Sequence, residues 1–209
     1  MEILAVILSY ILGSFPTAYI IGKWKLKTDV RYIGTKNMGA TNITKLAGKW
    51  WGILVFTIDF SKGVLAYILA FYLFDVGLVW SMASSVASVL GHNYPIWLKF
   101  HGGKGAATAG GALAIYTITQ GHFWQLAVFI ILLLISFLIF RNLIVGAIAA
   151  FVLMPFSYLT HNNVDGFWFA VALIIVIAIK FVPSAWSDIT DVISLRYFKR
   201  KKQFKEKNE

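Results

Sequence analysis

Residues 91–108 read GHNYPIWLKFHGGKGAAT and lie between two long apolar stretches, with glycines on both sides of Lys104. Glycine has no side chain, so its backbone can approach a ligand closely with bare N–H groups. Lys104 adds positive charge at the predicted beginning of a helix, where N–H groups also attract anions. The segment therefore predicts a phosphate site at a membrane surface. Its candidate ligands are Lys104, His92, Asn93, Gly102, Gly103, Gly105 and Thr108.

The glycine segment differs from a nucleotide-binding P-loop. That pattern requires Ser or Thr directly after its lysine, whereas Gly105 follows Lys104. No acidic residue that could hold magnesium stands nearby in the sequence. The alternative to a phosphate site is a flexible turn whose lysine side chain reaches toward lipid headgroups.

A second group of candidate residues lies in the long polar connection between residues 23 and 50. Connections of this length usually bind something or are disordered. Its Gly, Asn and Thr residues alternate with Arg and Lys, a composition typical of anion sites built from backbone N–H groups, amides and guanidinium. The alternative is a basic amphipathic segment lying on headgroups. The candidate anion ligands here are Thr35, Asn37, Thr41, Asn42 and Lys45.

Asp59 and Lys62 stand inside an apolar segment, three positions apart. This spacing places both side chains on one face of a helix. A charge at that depth in a membrane needs a partner. We predict that the two residues pair with each other and orient a neighbouring loop, and direct participation in catalysis is the alternative.

Several other chemistries lack the residues they need. The chain has no cysteine, and its four histidines are scattered without acidic neighbours, so we predict no metal and no cofactor. The His-x4-Asp pairing of soluble acyltransferases is missing after His92, His101 and His122. The Gly-x-Ser-x-Gly pattern of a nucleophilic serine is also missing.

The elements that position these residues are predicted to be membrane helices. Hydrophobic residues make up 59% of the 209-residue chain and the mean hydropathy is +0.74, which leaves too little polar surface for a soluble globule. We predict an all-α helix bundle with about seven spans, organised as a single domain over residues 1–195 and a basic tail over 196–209. The predicted spans are residues 3–22, 51–74, 77–97, 105–120, 124–140, 143–160 and 166–182.

The distribution of charge predicts the orientation. Lysines and arginines concentrate in residues 23–50 and 196–209, and alternating spans place Lys99, Lys104 and Arg141 on that same side. The opposite turns carry neither residue type. The positive-inside rule therefore predicts an outside N-terminus and a cytoplasmic C-terminus. Contact with anionic lipid accounts for most of the net charge of +10, so we predict no nucleic-acid partner.

These residues resemble two motifs of the bacterial acyl-phosphate:glycerol-3-phosphate acyltransferase family (PlsY), and the resemblance covers most of the chain. The first motif is matched by residues 14–19 including Ser14, and by Asp29, Arg31, Gly34, Thr35, Asn37, residues 39–42, Asp59, Lys62 and Gly63. The second is matched by Gly91, His92, Pro95, Phe100, residues 102–105, Ala107 and Thr108.

The chain departs from the family pattern at several positions. Lys36 replaces a usual glycine, and Lys45 stands where the family usually has an arginine for substrate phosphate. The third motif, an Arg-His followed by Asn-Ile, has no counterpart at residues 180–184, and Ile144 takes the place of a usual serine. A lysine keeps the charge of an arginine but loses its bidentate geometry.

The resemblance implies a multi-pass enzyme of the bacterial inner membrane with its active site facing the cytoplasm. Its reaction would transfer a fatty acyl group from acyl phosphate to the sn-1 hydroxyl of glycerol 3-phosphate, giving lysophosphatidic acid and phosphate, the first step of phospholipid synthesis. The implied partners are these substrates, membrane lipid and an enzyme that produces acyl phosphate.

The resemblance also implies roles for the candidate residues. Lys104, His92 and Thr35 are assigned to catalysis, the proton of the attacking hydroxyl going to His92 or to the substrate's own phosphate. Ser14, Asp29, Arg31, Asp59 and Lys62 are assigned to orientation of the site, and the other candidates to substrate binding. Two alternatives stay open: a paralogue that binds the same anions with a changed acceptor or without activity, and a transporter of a phosphorylated metabolite.

Overall fold

The structure is a computed structural model that describes residues 1–140 and 143–183; Arg141 and the tail 196–209 lie outside the described residues. Every regular element in the described part of the chain is helical, which confirms the predicted all-α class. The helices are α1 (Glu2–Gly13), α2 (Thr17–Leu26), α3 (Ala40–Ala47), α4 (Lys49–Ile68), α5 (Gly77–Asn93), α6 (Ala106–Thr119), α7 (Phe123–Phe140), α8 (Leu143–Leu159) and α9 (Val164–Pro183). A π-helical turn, Leu69–Leu73, extends α4, and a 3-10 turn, Ile96–Leu98, follows α5.

The chain divides into two units, Met1–Ile177 and Ala178–Glu209. In the described part of the chain, the second unit comprises only residues 178–183, the end of α9. The contacts of the candidate site lie within the first unit. The predicted boundary between a domain of residues 1–195 and a tail stays a prediction.

Among residues 1–140 and 143–183, three helical segments are long and apolar enough to cross a membrane: Glu2–Leu26, which joins α1 and α2, Lys49–Leu73 and Val164–Pro183. Shorter apolar helices cover Ala106–Thr119, Phe123–Ile135 and Ile148–Leu159. Large apolar side chains such as Ile131, Leu138 and Phe156 are exposed, as expected for surfaces that face lipid. The predicted count of seven spans and the orientation of the termini stay predictions.

The first predicted span, residues 3–22, is interrupted in the structure. α1 ends at Gly13 and α2 begins at Thr17, with Pro16 directly before it. Proline disfavours the helical conformation of the residue that precedes it, so Phe15 leaves the helix. The same effect shortens the third predicted span, residues 77–97, because α5 ends at Asn93, two residues before Pro95. Both breaks lie beside the candidate site.

Glycines let the central helices touch backbone to backbone. A Cβ atom at Gly13 of α1 would overlap the carbonyl group of Ser88 on α5. A Cβ atom at Gly63 of α4 would likewise overlap the carbonyl oxygen of Thr108 on α6. These close approaches pack α5 against α1 and α6 against α4, so the end of α5 and the first turn of α6 lie near the middle of α4.

The long α2–α3 connection is held by a small apolar cluster of its own. Val30 and Met38 from the connection pack with Ile43 of α3, Val55 of α4 and Leu98 of the 3-10 turn, and all are buried. Burial of these side chains fixes the path of the connection. The segment predicted to bind an anion is therefore an ordered loop in contact with the α5–α6 connection.

Candidate active site

The buried carboxylate of Asp59 on α4 is the meeting point of three helices. Its Oδ1 atom accepts a hydrogen bond of 2.6 Å from Lys62 Nζ and one of 3.0 Å from Thr17 Oγ1 of α2. His92 Nδ1, at the end of α5, lies 3.7 Å from the same oxygen. Asp59, Lys62 and His92 are only 2%, 3% and 6% exposed. The predicted pairing of Asp59 with Lys62 is confirmed.

The break between α1 and α2 supplies a further partner for the lysine. Lys62 Nζ donates a hydrogen bond of 2.6 Å to the carbonyl oxygen of Phe15, within the break. Ser14, which the sequence places among the orienting residues, donates a hydrogen bond of 2.8 Å to the Tyr10 carbonyl and is buried. Thr17 and Phe15 fall within residues 14–19 of the first motif, but the sequence assigns a role only to Ser14 of that stretch. The demand of a buried carboxylate and ammonium for extra hydrogen-bond partners was the available signal.

The glycine segment docks onto the end of α5. The Gly102 N–H donates to the Asn93 carbonyl and the Gly103 N–H donates to the His92 carbonyl, each at 3.1 Å. The expectation of bare N–H groups is therefore wrong for Gly102 and Gly103. The last carbonyls of a helix lack partners within the helix, and these two amides supply them. The assignment of both glycines to substrate binding stays a prediction.

The available donors lie slightly further on, where α6 begins. Gly105 precedes the helix with φ of +77°, and no described side chain caps it. The N–H groups of residues in a first helical turn have no partner within the helix and attract anions. Thr108, in this turn, is fully buried, and its hydroxyl has no hydrogen-bond partner among the described residues. Lys104 is half-buried directly before Gly105.

Asn93 links this turn to α9. The Asn93 side-chain amide donates a hydrogen bond of 3.1 Å to the carbonyl of Val176, while its Oδ1 atom is buried without a hydrogen-bond partner in the described part of the chain. A Cβ atom at Gly105 would come within 2.6 Å of that oxygen. Glycine at position 105 is thus needed both for its left-handed backbone and for the close contact with Asn93.

Asn42 organises the α2–α3 loop. Its Oδ1 atom accepts a hydrogen bond of 2.8 Å from the Thr35 N–H, and its Nδ2 atom donates to the carbonyls of Val30 and Ile33 at 2.9 and 3.2 Å. The side chain is fully buried. Both amide hydrogens are thus engaged with the loop backbone, which gives Asn42 a positioning role. Its predicted contact with substrate stays a prediction.

The other candidates of this loop and of α3 present their side chains more openly. Thr35, Thr41 and Lys45 are exposed, and Asn37 is half-buried. Lys36 has a left-handed backbone with φ of +54°, which explains why glycine suits its position in the family pattern. Thr35, Thr41 and Lys45 are therefore accessible to a ligand, and Asn37 is partly accessible.

Arg31 ties the α2–α3 loop to the α5–α6 connection. Its guanidinium pairs with the Asp29 carboxylate through Nε at 3.0 Å and Nη2 at 2.7 Å, and its Nη1 donates to the Leu98 carbonyl at 3.2 Å. The hydrogen bonds from Arg31 hold the pKa of Asp29 below its ordinary value. The same pairing raises the pKa of Arg31.

The two predicted anion-binding loops meet at Gly103. A Cβ atom built there would overlap His92 Nε2 and come within 2.7 Å of the Met38 carbonyl oxygen in the α2–α3 loop. The structure therefore brings the glycine segment, His92 and the α2–α3 loop together beside the Asp59–Lys62 pair. Within residues 1–140 and 143–183, no three His, Asp or Glu side chains lie close enough to hold a metal.

Comparison with known proteins identifies the family. Residues 3–190 match the family model described as glycerol-3-phosphate acyltransferase. The chain belongs to this family. Glycerol-3-phosphate acyltransferase 2 of Dehalococcoides mccartyi (strain CBDB1) is 38% identical over 184 residues, which cover 88% of this chain and 85% of that protein. Glycerol-3-phosphate acyltransferase of Prochlorococcus marinus (strain MIT 9312) is 32% identical over 196 residues, covering 93% and 94%.

Solved structures of the family have the same fold. The crystal structure of PlsY (YgiH), an integral membrane glycerol 3-phosphate acyltransferase, in its glycerol 3-phosphate form shares 29% identity with this chain at a TM-score of 0.75. The lysophosphatidic acid form shares 28% identity at a TM-score of 0.71. Each comparison covers 93% of both chains. The predicted family, membrane fold and acyltransferase class are confirmed.

Proposed function

We propose that this chain transfers a fatty acyl group from acyl phosphate to the sn-1 hydroxyl of glycerol 3-phosphate, with release of phosphate and lysophosphatidic acid. The observation that carries the proposal is the contact at Gly103, where the glycine segment, His92 and the α2–α3 loop meet. A reaction between two phosphate-bearing molecules needs two adjacent anion sites, and this contact joins two such candidates. The names of the relatives and the forms of the PlsY crystals support the same choice.

The acyl phosphate would lie at the beginning of α6. The N–H groups of its first turn, the Lys104 ammonium and the Thr108 hydroxyl would hold the phosphate and stabilise charge that develops on the carbonyl oxygen. Acyl phosphate is a mixed anhydride with a good leaving group. The protein therefore needs chiefly to position the two reactants, without a covalent intermediate.

Glycerol 3-phosphate would bind on the α2–α3 loop. The side chains of Thr35 and Asn37 in the loop, and of Thr41 and Lys45 on the adjoining helix α3, are accessible there, and Asn42 would hold the loop in its binding conformation. The sn-1 hydroxyl oxygen attacks the acyl carbonyl carbon, and the bond between that carbon and the phosphate oxygen breaks. Lys45 supplies a point charge where an arginine would supply a bidentate contact.

The proton of the attacking hydroxyl would go to the phosphate of glycerol 3-phosphate. The His92 ring is packed with Nδ1 toward Asp59 and Nε2 against Gly103, an arrangement suited to holding the segment in place. His92 is the alternative acceptor, because a neutral imidazole can take the proton of a hydroxyl group within hydrogen-bonding distance.

Part of the acyl chain would lie in an apolar groove beside α6. It has a volume of about 180 Å³ and is lined by Phe60, Gly110, Leu113, Ala114, Thr117, Leu126, Phe129, Ile130 and Met154. Its lining on α6 begins at Gly110, about one turn from the beginning of the helix. A chain attached to a phosphate at the beginning of α6 would run along this groove toward the other end of the helix.

We further propose that the site faces the cytoplasm of a bacterial cell, in its inner membrane, with the N-terminus outside. The exposed lysines of residues 23–49 support this orientation through the positive-inside rule. Acyl phosphate would then arrive from a soluble enzyme on the inner face. Lys180 and Phe181 stand where the family has its Arg-His pair, which favours a second candidate function: a paralogue with a different acceptor or without turnover.

Incubation of the purified protein with palmitoyl phosphate and labelled glycerol 3-phosphate tests the proposal. Lysophosphatidic acid and phosphate are expected in equal amounts, and Lys104→Ala should abolish both while the protein stays folded in detergent. Lys99→Ala, an exposed lysine in the same connection, serves as the control. Retained turnover by Lys104→Ala would contradict the phosphate site. Acyl transfer to another alcohol but not to glycerol 3-phosphate would favour the paralogue. Uptake of labelled glycerol 3-phosphate into proteoliposomes without formation of acylated product would favour a transporter.

A further inference from the structure

One oxygen of Asp59 has polar neighbours from three helices. Thr17 and Lys62 form hydrogen bonds to Oδ1 of 3.0 and 2.6 Å, and His92 Nδ1 lies 3.7 Å from it. The distance to His92 exceeds that of a hydrogen bond and corresponds to an electrostatic contact. Lys62 already balances the charge of the carboxylate. The contact with His92 is therefore additional to what burial of the ion pair requires.

The opposite edge of the His92 ring faces the glycine segment. His92 Nε2 is the atom nearest to a Cβ built on Gly103, and the Gly103 N–H donates to the His92 carbonyl at 3.1 Å. His92 is buried, at 6% exposure, so the ring has little freedom to turn. The imidazole thus stands between the buried ion pair of α4 and the segment that carries Lys104.

We propose that Asp59 is a positioning residue that acts through His92 on the glycine segment. The Asp59 carboxylate favours a hydrogen on Nδ1, because a negative oxygen attracts a donor and repels a lone pair. The Nε2 lone pair then faces Gly103. This fixed orientation holds residues 102–105 in the shape that binds acyl phosphate, an inference that rests on the proposed function.

The proposal predicts a selective defect. Loss of the Asp59 charge should raise the KM for acyl phosphate by about tenfold, in the range of coupling found between residues in one network. The KM for glycerol 3-phosphate should change much less, since its site lies on the α2–α3 loop. A purely structural role of Asp59 would instead lower stability and affect both substrates alike.

A double-mutant cycle on the full-length protein in detergent tests the coupling. The variants are Asp59→Asn, His92→Ala and their combination, with Lys99→Ala as the control. In the protein that retains His92, Asp59→Asn is expected to raise the KM for palmitoyl phosphate. In the His92→Ala protein, Asp59→Asn is expected to cause no further rise in this KM. His92→Gln, whose amide can reach the position of Nε2, should restore much of the affinity, with an unchanged shape of the pH profile. If the Asp59→Asn protein does not fold, the double variant Asp59→Asn/Lys62→Met, which lacks both buried charges, takes the place of Asp59→Asn in the cycle.

Binding of dodecyl phosphate, which cannot transfer an acyl group, gives a second readout through the rise in melting temperature that it causes. Independent, additive effects of the two substitutions in both readouts would overturn the positioning role. An equal rise in both KM values would overturn it as well. Absence of lysophosphatidic acid from the wild-type reaction would overturn the proposed function instead, and the dodecyl phosphate cycle would still report whether Asp59 acts through His92.

Discussion

The ammonium group of Lys62 donates a hydrogen bond of 2.6 Å to the carbonyl of Phe15, at the break between α1 and α2. It also pairs with Asp59 at 2.6 Å. Lys62→Met would leave the Asp59 charge and the Phe15 carbonyl buried with fewer partners. We expect a loss of stability of about 3–5 kcal/mol, typical of a broken buried pair.

Thermal unfolding in detergent measures this loss, and Lys99→Met is the matched exposed control. The double variant Asp59→Asn/Lys62→Met removes both charges and should recover part of the stability. A double variant as unstable as Lys62→Met alone would contradict the assignment of the loss to an unpaired Asp59.

Gly103→Ala should inactivate the enzyme without unfolding it. A Cβ atom at this position overlaps His92 Nε2 and crowds the Met38 carbonyl, so the segment with Lys104 must move away from the α2–α3 loop. A displacement of about 1 Å at a site can cost on the order of a hundredfold in rate. The initial rate of lysophosphatidic acid formation is the measurement. Lys99→Ala, at an exposed position of the same connection, is the control and should retain activity.

Gly110→Leu should shift the acyl-chain preference toward shorter chains. Position 110 lines the apolar groove, and a Cβ atom there would meet Phe60 atoms no nearer than 3.9 Å, so we expect leucine to fill part of the volume of about 180 Å³. Competition between dodecanoyl and palmitoyl phosphate measures the preference. Gly111→Ala provides the contrast, because its Cβ would overlap the Phe60 carbonyl and loosen α4 from α6. An unchanged preference in Gly110→Leu would place the acyl chain elsewhere.

Asn42→Ala should raise the KM for glycerol 3-phosphate. The substitution removes one acceptor from the Thr35 N–H and two donors from the Val30 and Ile33 carbonyls. Each buried group left unsatisfied costs about 1–3 kcal/mol, enough to change the shape of the loop. Steady-state kinetics with each substrate varied in turn checks the result. A rise confined to acyl phosphate would argue against a loop that holds glycerol 3-phosphate.

The Asp29–Arg31 pair should give the loop no pH dependence near neutrality. Because the pKa of Asp29 is lowered in the folded protein, its stabilising effect is present above the ordinary pKa of 3.8 and is lost only as the pH falls through the lowered value. The ratio of Asp29→Asn activity to wild-type activity should therefore stay constant above about pH 5. A ratio that changes between about pH 6 and 8 would mean that another group controls the loop.

Sequence reasoning predicts the pairs that lie within one helix but not the partners from other helices. The spacing of Asp59 and Lys62 places them on one face whatever surrounds them, and their pairing follows from the cost of charge in an apolar span. Thr17 and the Phe15 carbonyl join them only because α2 packs beside α4. Such contacts depend on tertiary structure, which a local pattern does not contain.

The glycine segment illustrates the same limit. Its composition predicts close backbone approach, yet it does not tell whether the approaching group is a ligand or the protein itself. At Gly102 and Gly103 the approaching group is the protein's own backbone at the end of α5. Asn42 is a parallel case, because an asparagine in a polar loop is equally suited to phosphate or to the loop backbone, and here its hydrogen bonds are to the backbone.

The break after α1 has a consequence for how the chain enters the membrane. The Phe15 carbonyl and Thr17 supply the hydrogen bonds that the Lys62–Asp59 pair cannot supply to itself. A lone α4 would carry a lysine and an aspartate into hydrocarbon with only each other as partners, at considerable cost. We therefore expect the first two apolar segments to leave the insertion machinery together, as a helical hairpin whose connecting loop stays on one side of the bilayer from the start.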